Sequence, residues 1–167
     1  MPLVIATASE MKPGRALDLA CGAGRNALWL AERGWSVTAV DGSPAAIERV
    51  RRRAAPRGLT VNAQLADLEQ SEYRIEPARW DLIVISYYLQ RDLFEPAKRG
   101  VVPGGVLAAI VLLGEGRFSL RTGELREYFS GWEIVHDREG HPGDSPEHRA
   151  VAEIVARRPL PAPFTKS

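Results

Sequence analysis

The chain has 167 residues, of which 45% are apolar and 26% are charged, and its formal net charge is +1. This composition is ordinary for one globular domain with a single core. The balanced charge gives no global attraction to nucleic acid or to an anionic membrane, so neither is expected as a partner. A single cysteine excludes a disulfide within the chain.

No segment of the sequence is expected to anchor or export the chain. The longest apolar run, residues 106–113, is too short to cross a bilayer, and residues 1–12 lack the basic head and long apolar stretch of a secretory signal. We therefore expect a cytoplasmic protein. One domain is predicted over residues 1–158, followed by a flexible proline-rich tail over residues 159–167.

Short apolar runs alternate with amphipathic segments, which favours parallel strands joined by crossover helices. Strands are predicted over residues 16–20, 35–40, 59–65, 80–85 and 106–113, with a final pair over residues 132–137 and 150–156. Helices are predicted over residues 26–32, 43–55, 91–99 and 123–129. Ser43 and Pro44 give the clearest helix start, because serine caps the first turn and proline suits the first helical position.

Two glycines follow the first predicted strand directly. Gly22 and Gly24 let the backbone turn tightly and approach a ligand without interference from a Cβ. Asp41 follows the second strand, and its carboxylate can accept hydrogen bonds from both hydroxyls of a ribose. This spacing predicts a nucleoside-bearing cofactor across the carboxyl ends of two parallel strands.

Four motifs in order resemble those of class I S-adenosylmethionine-dependent methyltransferases, and the likeness extends over nearly the whole chain. They are the segment 18–24, Asp41, the pair Asp67 and Leu68, and the turn 103–106. The resemblance implies an α/β fold with a doubly wound, Rossmann-like, mostly parallel seven-stranded sheet. The implied strand order is 3-2-1-4-5-7-6, with a C-terminal antiparallel hairpin. It also implies S-adenosyl-L-methionine as cofactor and S-adenosyl-L-homocysteine as product.

A closer likeness is to the small tellurite-resistance-type methyltransferases, which share the Gly-Arg-Asn of residues 24–26 and the block at residues 123–133. The chain differs from that group in having only about a dozen residues before its first predicted strand. Many class I members carry there an extension that covers the cofactor and the substrate. A homodimer in which one chain covers the open cofactor cleft of the other is therefore a further prediction.

The resemblance also assigns cofactor contacts to the strand ends. Asp18 corresponds to the acid that holds the amino group of the methionyl part, and Asp41 to the ribose-binding acid. Asp67 and the backbone N–H of Leu68 correspond to the pair that contacts adenine, although Asp67 has the plain alternative of a loop acid. The full predicted cofactor site comprises Asp18, Ala20, Gly22, Gly24, Asn26, Asp41, Gly42, Ser43, Ala66, Asp67, Leu68, Ser86 and Tyr87.

Two residues are predicted as catalytic. Tyr87, with Ser86, falls where the family contacts the methionine part and the acceptor, and stacking under the cofactor is its alternative. His141 lies in a loop where the resembled subfamily also has a histidine, so a base or substrate-orienting role competes with an ordinary exposed loop position. No metal is expected, because His136, His141 and His148 lack a matching carboxylate or thiolate pattern.

Methyl transfer from a sulfonium is an in-line displacement in which a protein mainly positions and desolvates the reactants. The prediction is transfer to a small-molecule acceptor, and the subfamily resemblance suggests a thiol or a selenium or tellurium oxyanion. Two alternatives stay open. Gly22, Gly24 and Ala27 also satisfy a loose fingerprint of an NAD(P)-dependent oxidoreductase. The other alternative is a catalytically silent S-adenosylmethionine-binding module that needs a partner to complete its site.

Overall fold

Strands and helices alternate along much of the described chain, which covers residues 2–141 and 149–162 of this computed structural model. The strands are β1 Arg15–Leu19, β2 Ser36–Asp41, β3 Val61–Leu65, β4 Trp80–Ser86, β5 Val101–Leu112, β6 Glu133–Gly140 and β7 Val151–Arg157. The α-helices are α1 Pro2–Ser9, α2 Arg25–Ala31, α3 Pro44–Ala54, α4 Phe94–Gly100 and α5 Glu124–Glu127. Short 3-10 turns, Ala55–Arg57 and Arg91–Leu93, follow α3 and precede α4.

The described strands form one seven-stranded sheet in the order β3-β2-β1-β4-β5-β7-β6. The pairings among β3, β2, β1, β4 and β5 are parallel, whereas β7 pairs antiparallel with both β5 and β6. The predicted fold class and strand order are therefore confirmed. Parallel strands cannot be joined by tight turns, so they need crossover connections. Helices form these crossovers except between β3 and β4, where residues 66–79 contain no helix.

Helices cover both faces of the sheet, which explains why the central strands are continuous apolar runs. Successive side chains of a strand point to opposite faces, so Ala16 and Leu17 enter different cores. Ala16 packs with residues of α1 and α2, including Leu3 and Leu30. Leu17 packs with residues of α4 and α5 on the other side, including Phe94. Each face is therefore closed by its own group of helices.

Three element predictions differ from the structure. Helix α1 was not predicted, because its eight residues are nearly all apolar and lack a helical period of polar positions. Strand β5 begins at Val101 rather than at residue 106, and the glycine-rich turn lies inside the strand, beside a register shift between Trp80 and Leu82 of β4. The helix predicted over residues 123–129 is only the four residues of α5.

Parts of two predicted segments fall outside the described residues. They are residues 142–148 of the predicted loop, which include His148, and residues 163–167 of the predicted tail. The single-domain boundary at residue 158 stays a prediction. Within the described ranges, no helix combines the length and the apolar character that a membrane crossing needs.

The central strand β1 should contribute heavily to stability. Leu17 is completely buried, so Leu17→Ala leaves a cavity between the sheet and α4, and we expect the free energy of unfolding to fall by about 2–5 kcal/mol. Leu160→Ala is the matched control, since this leucine is 74% exposed. Urea denaturation measures both variants. Equal midpoints for the two variants would contradict the assignment of Leu17 to the core.

Candidate functional site

The loop between β1 and α2 has an unusual backbone. Ala20, Gly22 and Gly24 all have left-handed conformations, with φ of 53°, 53° and 75°. A Cβ added at Gly24 would lie 2.7 Å from Val50 Cγ2, so this glycine lets α3 pack against the loop. A Cβ added at Gly22 would meet nothing within 4 Å. Gly22 therefore keeps the space above the loop open, while Gly24 serves packing.

The end of β4 shows the same kind of strain. Tyr87 follows this strand with φ of 56°, and its N–H donates to the Ile110 carbonyl of β5 at 2.6 Å. Positive φ at alanine or tyrosine costs roughly 1–3 kcal/mol and persists only where the surroundings enforce it. Ala20 and Tyr87 are strained at two neighbouring strand ends, which is the position expected for a binding site.

A cleft of about 260 Å³ lies between these two strand ends. Its lining residues are Pro2, Ala20, Cys21, Gly22, Ala23, Arg25, Asn26, Ser86, Tyr87, Ile110 and Glu153. Five of the predicted site residues are thus brought together around one cleft. A larger cavity of about 440 Å³ lies elsewhere, and among the predicted residues only Leu68 lines it. We take the smaller cleft as the site because it contains the strained strand ends.

The carboxylate of Asp41 connects three segments at the end of β2. Its Oδ2 accepts a hydrogen bond from the Gly22 N–H at 2.8 Å, and its Oδ1 accepts one from the Ser43 N–H at 2.9 Å. The Asp41 carbonyl also accepts the Ala66 N–H at 3.1 Å, which fixes the end of β3. A carboxylate has about four acceptor positions, so two remain for ribose hydroxyls.

The same turn brings the ends of β2 and β3 close together. A Cβ added at Gly42 would lie 3.6 Å from the Cα of Asp67, which is an ordinary van der Waals distance, so the two turns are in close proximity. Ser43 caps α3 by accepting the Ala46 N–H at 3.3 Å through its hydroxyl oxygen. Gly42 and Ser43 therefore shape the turn that carries Asp41, whether or not they also contact a ligand.

The side chain of Asp67 is largely committed to its own loop. Its Oδ1 accepts the Glu69 N–H at 2.9 Å, and its own N–H donates to Glu72 Oε2 at 2.8 Å. Leu68 is buried, and its carbonyl accepts a hydrogen bond from Gln90 Nε2 at 3.2 Å. The geometry supports the loop-acid alternative for one carboxylate oxygen of Asp67. Gln90, which ties the loops after β3 and β4 together, was not predicted as a site residue.

Three polar side chains lie beneath the glycine loop. Asp18 is 1% exposed, and its Oδ2 accepts the Ala27 N–H at 3.1 Å. Asn26 Nδ2 donates to Ser86 Oγ at 3.3 Å. Among the described residues, Asp18 Oδ1 and Asn26 Oδ1 are buried without a hydrogen-bond partner. Buried acceptors without donors are costly, so this position fits a ligand that brings N–H groups, such as the ammonium of a methionyl part.

Burial is the main cause of the pKa shifts of Asp18 and Cys21. It raises the pKa of Asp18 to about 7, with partial opposition from the Ala27 N–H and the Asn26 side chain. Burial also raises the pKa of the Cys21 thiol, with help from the charges of Asp18 and Asp41. Because a protonated thiol is a poor nucleophile, Cys21 is a packing residue of the loop rather than a reactive group.

The two predicted catalytic residues lie in different settings. Tyr87 is 41% exposed and lines the cleft. His141 follows the end of β6 at the same edge of the sheet, where it is exposed, and its carbonyl accepts a hydrogen bond from Arg138 at 3.4 Å. His141 is not among the residues that line the cleft. Across the described ranges, no cluster of three or more His, Cys, Asp or Glu side chains is arranged to hold a metal.

Six of the eleven lining residues were not predicted as site residues, and three of these six lie outside the glycine loop and the start of α2. Pro2 begins the unpredicted helix α1, Ile110 lies near the carboxyl end of β5, and Glu153 lies near the start of β7. Glu153 could have been noticed, since it is a lone carboxylate in an otherwise apolar strand. Its position at the cleft, however, depends on strand pairing that joins residues far apart in sequence.

Comparison with known proteins identifies the family to which this chain belongs. Residues 16–105, more than half of the chain, match the family described as the methyltransferase domain. The chain belongs to this family. It is 30% identical over 138 residues to hemagglutinin 1 of Eikenella corrodens, covering 74% of this chain and 45% of that protein. It is 24% identical over 151 residues to the probable S-adenosyl-L-methionine-dependent methyltransferase TehB of Haemophilus influenzae, covering 81% of this chain and 52% of that protein.

Solved structures share the fold. The crystal structure of Haemophilus influenzae TehB aligns with a TM-score of 0.82 at 24% identity, covering 95% of this chain and 62% of that one. A Burkholderia thailandensis 1,6-didemethyltoxoflavin-N1-methyltransferase, crystallised with S-adenosylhomocysteine, aligns with a TM-score of 0.73 at 19% identity, covering 95% and 77%. The predicted family, its likeness to the tellurite-resistance type and its S-adenosylmethionine cofactor class are confirmed. The chain spans about half the length of the curated relatives it matches.

The buried carboxyl of Asp18 should make stability depend on pH. Its pKa is about 7 in the folded chain against an ordinary value of 3.8, so the native state holds this proton more tightly than the unfolded chain does. The resulting stabilisation is present below about pH 4 and is lost as the pH rises to about 7, a change on the order of 4 kcal/mol. Asp18→Asn removes this titration. The free energy of unfolding of the variant should therefore increase relative to that of the parent as the pH rises from about 4 to about 7.

Urea denaturation at pH 4.5, 6 and 8 measures this difference. Glu95→Gln is the control, because this carboxylate is exposed on α4 and pairs only with Lys98 among the described residues. We expect the control to show little pH dependence relative to the parent. A constant difference between Asp18→Asn and the parent over the whole range would contradict the raised pKa.

Removal of the Asp41 carboxylate should weaken cofactor binding. Asp41→Ala deprives two backbone N–H groups and the proposed ribose hydroxyls of their acceptor, so the affinity for S-adenosylhomocysteine should fall by about 1.5–3 kcal/mol. Asp67→Ala should have a smaller effect, because its Oδ1 is already used within its own loop. Isothermal titration calorimetry compares the two variants. Equal losses would mean that the two carboxylates contribute alike.

Proposed function

We propose that this protein transfers a methyl group from S-adenosylmethionine to a small-molecule acceptor. The observation that carries the proposal is the pair of buried acceptors without donors, Asp18 Oδ1 and Asn26 Oδ1, beneath a glycine loop held by Asp41. A ligand with an ammonium group and a ribose supplies donors to both places. Membership in the methyltransferase domain family supports this choice over the oxidoreductase alternative.

The cofactor contacts in this proposal follow the strand ends. Asp18 receives the methionyl ammonium, directly or through water, and Asp41 accepts the ribose hydroxyls. Gly22 leaves room for the ligand above the loop, since a Cβ there would meet nothing within 4 Å. The adenine is received near Asp67 and Leu68, where the loops after β3 and β4 are joined through Gln90. The turn residues Gly42 and Ser43, together with Ala66, hold these strand ends at their spacing.

The cofactor supplies the electrophilic methyl group and leaves as a neutral thioether, so the chain mainly positions the acceptor and excludes water. Tyr87 and Ile110 form walls of the cleft on the side of β4 and β5, and Pro2 of α1 forms another. The short N-terminal helix thus covers part of a cleft that was predicted to be open. This position supports Tyr87 as an acceptor-facing residue, and a catalytic role for His141 stays a prediction.

The contacts described above concern the cofactor and do not identify the methyl acceptor. A thiol or a selenium or tellurium oxyanion stays a prediction from the subfamily resemblance, and the names of the relatives add no common acceptor. The homodimer also stays a prediction, and light scattering of the active protein measures it. Cytoplasmic location is proposed only from the sequence.

Two measurements test the proposal. Calorimetric titrations should show binding of S-adenosylmethionine and S-adenosylhomocysteine, and no binding of NAD⁺ or NADP⁺. A screen of thiols, phenols, amines, halides, selenite and tellurite should then release S-adenosylhomocysteine with at least one acceptor. Binding of the nicotinamide cofactors in place of S-adenosylmethionine would overturn the proposal. Binding of S-adenosylmethionine without turnover on any acceptor would instead favour the catalytically silent module.

A further inference from the structure

Glu153 is a carboxylate in the wall of the cleft that the sequence motifs do not explain. It is the third residue of β7, where Val151 and Val155 on the same face are apolar, and its side chain is only 14% exposed. It lines the cleft together with Ser86, Tyr87 and Ile110. A charged residue is rarely kept this far from water without a partner or a function.

Strand register explains how Glu153 reaches the cleft. Ser86 of β4 pairs with Ile110 of β5, and Ile110 pairs with Glu153 of β7. Residues that are directly paired across strands point to the same face of a sheet. Glu153 is therefore two strands away from Ser86 in one cross-strand row, on the face that carries the cleft.

Among the described residues, His136 of β6 is the polar partner of this carboxylate. His136 Nε2 lies 3.3 Å from Glu153 Oε2, and the imidazole is 38% exposed. One carboxylate oxygen is thus oriented by the imidazole, while the other has no hydrogen bond among the described residues. This arrangement leaves Glu153 able to accept a further proton or hydrogen bond.

The charge of Glu153 also discriminates between acceptor classes. A largely buried carboxylate repels an anion in the same cleft, and the repulsion is strong because solvent screens it little. Arg25 also lines the cleft, but it is exposed and lies beside the glycine loop rather than beside β7. Arg138 of β6 is directly paired with Glu153, but it is exposed and its guanidinium donates to the His141 carbonyl. The charges of both arginines are screened more strongly than that of Glu153. The wall at β7 therefore disfavours an oxyanion and favours a neutral group that carries a proton.

We propose that Glu153 is the general base of the reaction and that the acceptor is a neutral thiol, hydroxyl or amine. This inference rests on the proposed methyltransferase function and specifies its acceptor. The acceptor heteroatom forms its bond to the methyl group with its own electron pair, and the sulfonium sulfur keeps the pair of the broken bond. The proton of the acceptor passes to the Glu153 carboxylate and then to solvent. His136 is a positioning residue that acts through Glu153.

Glu153→Gln tests the base, since the amide keeps the size of the side chain and loses the charge. With the protic acceptor that the parent uses best, we expect kcat to fall by about 10²–10⁴-fold, the usual contribution of a general base. With an acidic aryl thiol, which is already ionised, the loss should be below tenfold. The calorimetric Kd for S-adenosylhomocysteine should stay within about twofold of the parent value.

Glu133→Gln is the matched control. Glu133 lies on the same hairpin at the opposite end of the sheet, where it is exposed and pairs with Arg157. This variant should retain parent kcat with every acceptor. His136→Ala should lower kcat less than Glu153→Gln does, and the loss should again be confined to protic acceptors. A loss that is equal for protic and ionised acceptors would overturn the roles of both residues.

A binding measurement separates this inference from the proposed function. Selenite should bind the S-adenosylhomocysteine complex about fivefold more tightly in Glu153→Gln than in the parent, because one repulsive charge is removed. Unchanged or weaker selenite affinity would overturn the assignment of Glu153 to the acceptor site. Absence of S-adenosylhomocysteine binding by the parent would instead overturn the proposed function.

Discussion

The carboxylate of Asp41 is the contact on which the geometry of the site depends. By accepting the amides of Gly22 and Ser43, it fixes the glycine loop against the turn into α3, and its carbonyl fixes the end of β3. Without this connection the loop would lose its only carboxylate anchor among the described residues. Because the same side chain keeps free acceptor positions, structural support and ligand binding do not compete.

Asp18 differs from Asp41, because its position is unfavourable for the unliganded fold. Its carboxyl is buried with one oxygen that has no donor among the described residues, and desolvation raises its pKa. The unliganded fold therefore bears an energetic cost that a cationic ligand removes. Relief of that cost would add to the affinity for the ligand. The strained backbone at Ala20 and Tyr87 is a second energetic cost of the fold at the same site.

The proposed cofactor half of the site rests on sequence features that are local. Gly22 and Gly24 lie within one strand-to-helix loop, and Asp41 lies one crossover later, so their spacing indicates a nucleoside site. The role of Asp18 followed from the family resemblance. The central strands were also predictable, since a strand buried on both faces is a continuous apolar run. The exceptions have physical reasons: helix α1 is too apolar to show a helical period, and the glycine-rich start of β5 reads as a turn although it continues the strand.

The proposed acceptor half could not be predicted in this way, because it is assembled by strand pairing over long sequence distances. Glu153 and Ser86 are 67 positions apart, yet Ile110 between them brings both to one face of the sheet. No local spacing encodes that row. The one local signal is a carboxylate in the middle of an apolar strand, which is costly to fold and is therefore informative. In a sheet whose cofactor edge is fixed by motifs, isolated charges in the antiparallel strands are the positions where acceptor chemistry should be sought.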